Sequence, residues 1–178
     1  ARATTRGTAT ARRARARRGA EERRAIARRA MTRETTTGGS VRERASAASA
    51  RVRDAGASVA DRVKWLIALA RTRGGDDAWL DEDGRNATTR VMGCASASWI
   101  EAVVDEASGR VRARCASESD ATRGYGTLLC EALSGGTVDE CLELGDDFVD
   151  AMEIGIGSKV EKSRTNGFKN MLETAKKQ

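Results

Sequence analysis

Histidine and proline are absent from all 178 residues, aromatic side chains make up only 3%, and no long uncharged apolar run occurs. Each gap excludes something. Without imidazole the common general base, the Cys-His nucleophile pair and the usual zinc ligand all disappear, so any chemistry must run on other groups. Without an apolar run nothing resembles a secretory signal or a spanning helix, and no membrane partner is expected.

Charge is plentiful but unevenly placed. Residues 1–53 carry 16 Arg, no Lys and 4 Glu, a net of +12, while 54–178 carry a net of −6. The formal +6 of the whole chain therefore belongs to the leader. That leader is Ala, Arg, Thr and Ser with almost no bulky apolar residue, which leaves too little surface to bury against the cost of ordering a chain. It is expected to be disordered. Arg-rich, hydroxyl-rich and acid-poor composition at an N-terminus reads as an organelle transit peptide. A plastid is the expected destination, with the mitochondrion as alternative. An RNA-binding arm is a further alternative, but no aromatic residue is interleaved for base stacking, so no nucleic-acid partner is expected.

The body, 54–178, is the size of one domain. SVADRVKWLIALA opens with Ser58 and Asp61 in capping positions and sets Val63, Leu66, Ile67 and Ala70 on one helical stripe. Residues 71–89 are polar and aperiodic, as a long surface connection would be. SWIEAVVDE and RVRARCA have strand character around an ASGR turn, with Val111, Ala113 and Cys115 on one face, which predicts an antiparallel hairpin. ATRGYGTLLCEAL after Ser119 predicts a second helix on Tyr125, Leu128, Leu129 and Ala132. TVDECLEL has a Thr137 to Glu140 capping box with Val138, Cys141 and Leu142 inward, and DDFVDAMEIG continues as a short helical piece. SRTNGFKNMLETAKKQ places Phe168, Met171, Leu172 and Ala175 on a final helical stripe. The expected fold is α+β: a small antiparallel β-sheet flanked by helices.

The cysteines at 94, 115, 130 and 141 sort by context. Cys115 and Cys141 lie on apolar faces and Cys130 follows the Leu128 and Leu129 stripe, so all three read as small core residues. No C-x-x-C pair exists, and no metal site or disulfide framework is expected. Cys94 differs. It follows Gly93, whose missing side chain allows unusual backbone angles, and lies between a polar connection and a strand, with Ser96 and Ser98 just beyond. A thiol there is a candidate nucleophile or redox-active residue, with a buried structural thiol as the rival reading, and nothing nearby in sequence supplies a base. Trp99 reads as a core residue opening its strand.

RVMGCASASWI resembles the V-x-G-C-x-S-x-x-W signature of the SufE family. SESDATRGYG resembles that family's G-D-S-D-A-x-x-x-G stretch, and KSRTNGFKNML its S-R-x-x-G-x-x-x-M ending; the three occur in order across about 58–177. Departures occur at Met92, where a polar residue is frequent, at Ala95, where glutamine is common, and at Ser98, which replaces an apolar residue. RTRGG also stands where a Leu-Pro-rich turn is usual.

The resemblance implies a sulfur acceptor and activator of a SufS-like cysteine desulfurase. Cys94 would take sulfane sulfur as a persulfide and pass it on for iron-sulfur cluster assembly, with the Suf scaffold complex as a further partner. It implies no cofactor on this chain, since pyridoxal phosphate belongs to the desulfurase. By the same resemblance Gly93 is a hinge, and Ser96, Asp120 and Arg164 support the loop or touch the partner. The activity would be that of a carrier rather than of an independent enzyme.

Overall fold

The computed structural model describes residues 39–72, 79–154 and 159–178, with side chains in the last stretch from 162 onward. In chain order come α1 (Val41–Arg53), α2 (Val59–Thr72), β1 (Ser98–Asp105), β2 (Arg110–Ser117), α3 (Asp120–Leu133), α4 (Val138–Leu142), α5 (Asp147–Asp150) and α6 (Lys159–Ala175). Among the described residues the sheet is a single antiparallel hairpin, in the register Ser98↔Ser117, Ile100↔Cys115 and Asp105↔Arg110. The architecture is α+β.

Order starts before residue 54. α1 is an ordered helix inside what was read as leader, opened by a reciprocal cap in which Glu43 N–H donates to Ser40 Oγ and Ser40 N–H donates to Glu43 Oε2. Val41, Ala45, Ala48 and Val52 repeat on one stripe and are all buried. Composition misled here, because a stripe of alanines between two valines suffices when the neighbouring helix lies close. Ser49 secures the packing by donating to the Phe148 carbonyl at 2.8 Å, and Arg51 pairs with Glu131 at 2.8 Å. The remaining leader, 1–38, and the transit-peptide reading attached to it lie outside the described residues.

α3 is the central element, buried along most of its length between α1 and α2 on one side and β2 on the other. Gly124 makes the α2 approach possible: a Cβ there would overlap the backbone carbonyl of Leu66. The buried face of α2 consists of Arg62, Trp65, Leu66, Leu69 and Ala70, whereas Val63 and Ile67 of the expected stripe are only partly covered. The helix is rotated so that Trp65 and Leu69, larger than Val63, carry the contact. Leu66, Leu128, Leu129, Leu133, Met171 and Leu172 form the heart of the core, each less than 2% exposed or close to it. Burial of one such side chain contributes about 1.5 to 3 kcal/mol.

Both sheet edges are engaged. Leu80 N–H donates to the Cys115 carbonyl at 3.0 Å, and Gly135 N–H donates to the Val111 carbonyl at 2.8 Å, along the outer side of β2. Along β1, Ile100 N–H donates to the Thr89 carbonyl and Val91 N–H to the Ser98 carbonyl, both at 2.9 Å, while Gln178 bonds Ala102 N–H and the Ile100 carbonyl through its side chain. The stretch before the cysteine is therefore not a free surface connection. Its described part sends Leu80, fully buried, into the core.

α4 also departs from expectation. Its capping box forms, and Cys141 is buried, but Val138 and Leu142 are 44% and 50% exposed. A helix of five residues has one inward position per turn, and Cys141 and the following Leu144 fill it.

Candidate functional site

Cys94 lies on the loop between Val91 and β1, and the short bonds of that strand edge anchor the loop at its two ends. Gly93 takes φ +72°, a left-handed conformation that favours glycine. Asn170, on α6, donates from Nδ2 to the Met92 carbonyl at 3.0 Å, and a Cβ on Gly93 would stand 2.7 Å from that nitrogen. Glycine at 93 thus meets two demands together: the backbone angle and the close passage of Asn170. About one turn earlier on α6, Gly167 leaves room for the thiol, since a Cβ there would lie 3.3 Å from Cys94 Sγ.

The sulfur opens into a cleft of about 440 Å³ lined by Cys94, Ala95, Ser96, Ser119, Ala121, Thr122, Ser163, Arg164 and Phe168. Its walls come from the cysteine loop, the N-terminal turn of α3 and the first half of α6. Ser119 caps α3 by accepting from Thr122 N–H at 3.4 Å, and with Ala121 and Thr122 it puts the first turn of α3, the positive end of the helix dipole, in the cleft wall. Arg164 adds an exposed guanidinium. A nucleophilic or persulfidic sulfur is best served by such surroundings, because both carry negative charge when reactive.

The other thiols contrast with this one. Cys115, Cys130 and Cys141 are 1%, 8% and 8% exposed, whereas Cys94 is half-buried. A hydrogen bond with Cys115, and burial after it, push the Cys130 thiol well above its ordinary value of 9.0; burial raises Cys141 as well. Both are poor nucleophiles for that reason. Among the described residues no three Cys, Asp or Glu side chains converge in a way that could hold a metal ion.

Of the residues singled out by sequence, Cys94, Ser96 and Arg164 line one cleft and Gly93 shapes the loop that carries the thiol. Asp120 is adjacent but turned away: its carboxylate accepts from Arg71 at 2.8 Å and from Arg123 at 3.0 Å, which ties α2 to α3. Trp99 is not a core residue. It lies half-buried with Arg90 and Arg85 guanidinium groups 4.7 and 5.7 Å from its ring centre, and Ser98 beside it is the buried one, because strand alternation turns 98 and 100 inward. Three contributors were missed: Ser98, Gly167 and Asn170. The last two stand inside the quoted KSRTNGFKNML motif, so the signal was present without a geometry to interpret it.

These features define an α+β domain that presents one thiol on a shaped loop in an open cleft and buries the rest. A family model described as SufE, an Fe-S metabolism associated domain, matches residues 52–178. The chain belongs to the SufE family, and so to a group of domains associated with Fe-S metabolism. It is 34% identical over 117 residues to SufE-like protein 2, chloroplastic, of Arabidopsis thaliana, covering 66% of this chain and 43% of that protein. An uncharacterized SufE-like protein of Synechocystis is 34% identical over 91 residues, covering 51% of this chain and 55% of its own length. A chloroplastic quinolinate synthase of Nicotiana tabacum is 33% identical over 118 residues, 66% of this chain but only 16% of that protein. The chain therefore spans less than two thirds of each of these relatives.

Proposed function

We propose that this domain accepts sulfane sulfur on Cys94 from a SufS-like cysteine desulfurase, raises that enzyme's turnover, and passes the sulfur on for iron-sulfur cluster assembly. The observation that carries the reading is the single half-exposed thiol on a glycine-hinged loop in a cleft walled by Arg164 and a helix N-terminus. The Cys94 thiolate attacks the terminal sulfur of the desulfurase persulfide. A new S–S bond forms on Cys94 as the bond within the donor persulfide breaks, and the donor cysteine leaves as a thiolate. No electrons are gained or lost overall, and the chain needs no bound cofactor for the step. Pyridoxal phosphate chemistry stays on the desulfurase. Access and thiolate character govern such exchange, and a loop that can extend into a partner meets the first requirement. Relatives named chloroplastic, or chloroplastic/mitochondrial, support an organellar setting, with the plastid as the place we infer.

The test is intact mass of the full chain after incubation with a cysteine desulfurase and cysteine, beside a Cys94→Ser variant. The expected result is a reductant-sensitive gain of sulfur on the wild type alone. No gain on a competent desulfurase, with no rise in sulfide release, removes the carrier reading; an oxidised Cys94 under mild peroxide would then favour a thiol-redox role.

A further inference from the structure

Ser98 is completely buried, and its hydroxyl lies at a junction of three partners: the Ser96 carbonyl at 3.0 Å, Ser117 Oγ at 2.9 Å and Cys94 Sγ at 3.5 Å. Ser117 in turn accepts from the backbone N–H of Ser119, the N-cap of α3, at 3.1 Å. Counting protons orders the chain. A carbonyl only accepts, so Ser98 gives its one proton to Ser96. The proton between the two hydroxyls must then come from Ser117, and the Cys94 S–H can donate to the remaining lone pair of Ser98. With the thiol protonated every group at the junction is satisfied.

Loss of the thiol proton to water in the cleft unbalances that arrangement. The sulfur can no longer donate and becomes the strongest acceptor within reach. Hydrogen bonds to charged acceptors are roughly twice as strong as neutral ones, and the Ser98 proton needs only a rotation about its C–O bond to leave Ser96 and face the sulfur.

We propose that Ser98 is a positioning residue that switches its hydroxyl proton from the Ser96 carbonyl to Cys94 Sγ when the thiolate forms, with Ser117 relaying the field of the α3 N-terminus into the same group. The switch rests on the sulfur-acceptor reading for its purpose, but thiolate formation itself is measured without any desulfurase. Among the residues that line the cleft the one charged group is Arg164 on α6; Asp120, at the start of α3, is not part of the lining and its carboxylate is held by Arg71 and Arg123, and from the hairpin the Ser98 and Ser117 hydroxyls join the junction. Ser98 also accounts for a departure from the family signature, where an apolar residue stands in its place.

The experiment is the rate of Cys94 alkylation near neutral pH in the full chain, with a small iodoacetamide and a bulky maleimide, and the ultraviolet thiolate absorbance against a Cys94→Ser blank. Ser98→Ala is expected to react about fivefold more slowly with iodoacetamide and to show a weaker thiolate signal at the same pH. Ser117→Ala should lose about twofold, and the double variant should match Ser98→Ala alone, because without the first hydroxyl the second has no route to the sulfur. If Ser98→Ala does not fold, the Ser117→Ala result carries the test. Wild-type rates in the folded variants overturn the proposal. So do additive losses in the double variant, and so does a rise with both reagents, which would make Ser98 a latch on the loop instead of a donor. Unimpaired sulfur loading of a slow-alkylating Ser98→Ala leaves the acceptor reading intact; absent loading in the wild type removes that reading while the alkylation result still stands.

Discussion

The wall formed by α2, α3 and β2 and the cleft between the Cys94 loop and α6 use the same small residues for different ends. In the wall, Cys115 and Cys130 are thiols against thiols, and Gly124 and Gly126 sit where a Cβ would meet the Leu66 carbonyl or, at 2.6 Å, Cys115 Sγ. In the cleft, Cys94 and Gly167 also touch, but at 3.3 Å from a Cβ that α6 lacks, and the sulfur looks outward. Cysteine is a core filler where helices close over it and a reagent where a loop leaves it half covered. The type of residue does not set its role; the stiffness of what stands opposite does.

The largest effect that separates the two regions should come from Gly124→Ala. The added methyl meets backbone, which cannot rotate away, so α2 and α3 must move apart across much of the core. Overpacking of this kind costs about 3 kcal/mol or more, and the urea midpoint of the full chain should fall accordingly. A loss under about 1 kcal/mol would mean that the wall yields as readily as the cleft, and the comparison would collapse.

How much of this was legible beforehand follows the same division. The helices over 59–72, 120–133 and 159–175 and the hairpin were readable because their apolar residues repeat at the proper period over two or more turns or strands. α1 was hidden because its stripe is mostly alanine, a residue that carries little hydrophobic signal yet fits a tight helix interface; the Ser40 to Glu43 cap was its one overt sign. Val138 and Leu142 were placed inward because five residues do not define a face. At the site, Cys94, Gly93, Ser96 and Arg164 could be named from their motifs, whereas Ser98 looked like a mere departure from the pattern. Its meaning depends on Ser117, nineteen residues away along the chain and paired with it only by the hairpin register.

A smaller effect distinguishes the wall by pH. Cys130 is raised by its bond to Cys115 and by burial, and Tyr125 is raised by burial beneath Phe168, whose ring stacks on it at 3.9 Å. Both keep their protons in the fold at a pH where the unfolded chain loses them. The folded state then binds more protons than the unfolded state, so stability falls as pH rises past the ordinary cysteine value of 9.0 and falls faster past the tyrosine value of 10.0. Each group contributes a slope of about 1.4 kcal/mol per pH unit once the unfolded form is ionised. Denaturant midpoints measured from pH 8 upward should show the decline, and Cys130→Ala should lessen the part that starts first, leaving the share that the raised Cys141 thiol contributes. A Cys94→Ser chain should retain the whole decline; if it is the variant that flattens the curve, the alkaline sensitivity belongs to the cleft.

The smallest change in stability should come from Gly167→Ala, and it draws the contrast most closely. Alanine in the middle of α6 gains about 1 kcal/mol of helix propensity over glycine. Against that stands the squeeze on Cys94, 3.3 Å from the new methyl at Sγ and 3.7 Å at Cα. Unlike the Leu66 carbonyl, this neighbour is carried by a loop whose turn at Gly93 can adjust, and the two terms should nearly cancel, leaving the midpoint within about 1 kcal/mol of wild type. The loop, however, cannot yield without moving its sulfur. Labelling of Cys94 by a bulky maleimide should therefore rise several-fold in a chain that is no less stable, while Cys115, Cys130 and Cys141 stay protected until unfolding. A drop in stability with unchanged labelling would show the opposite: that the loop is packed as firmly as the wall, and that docking a partner would have to break it open instead of drawing it out.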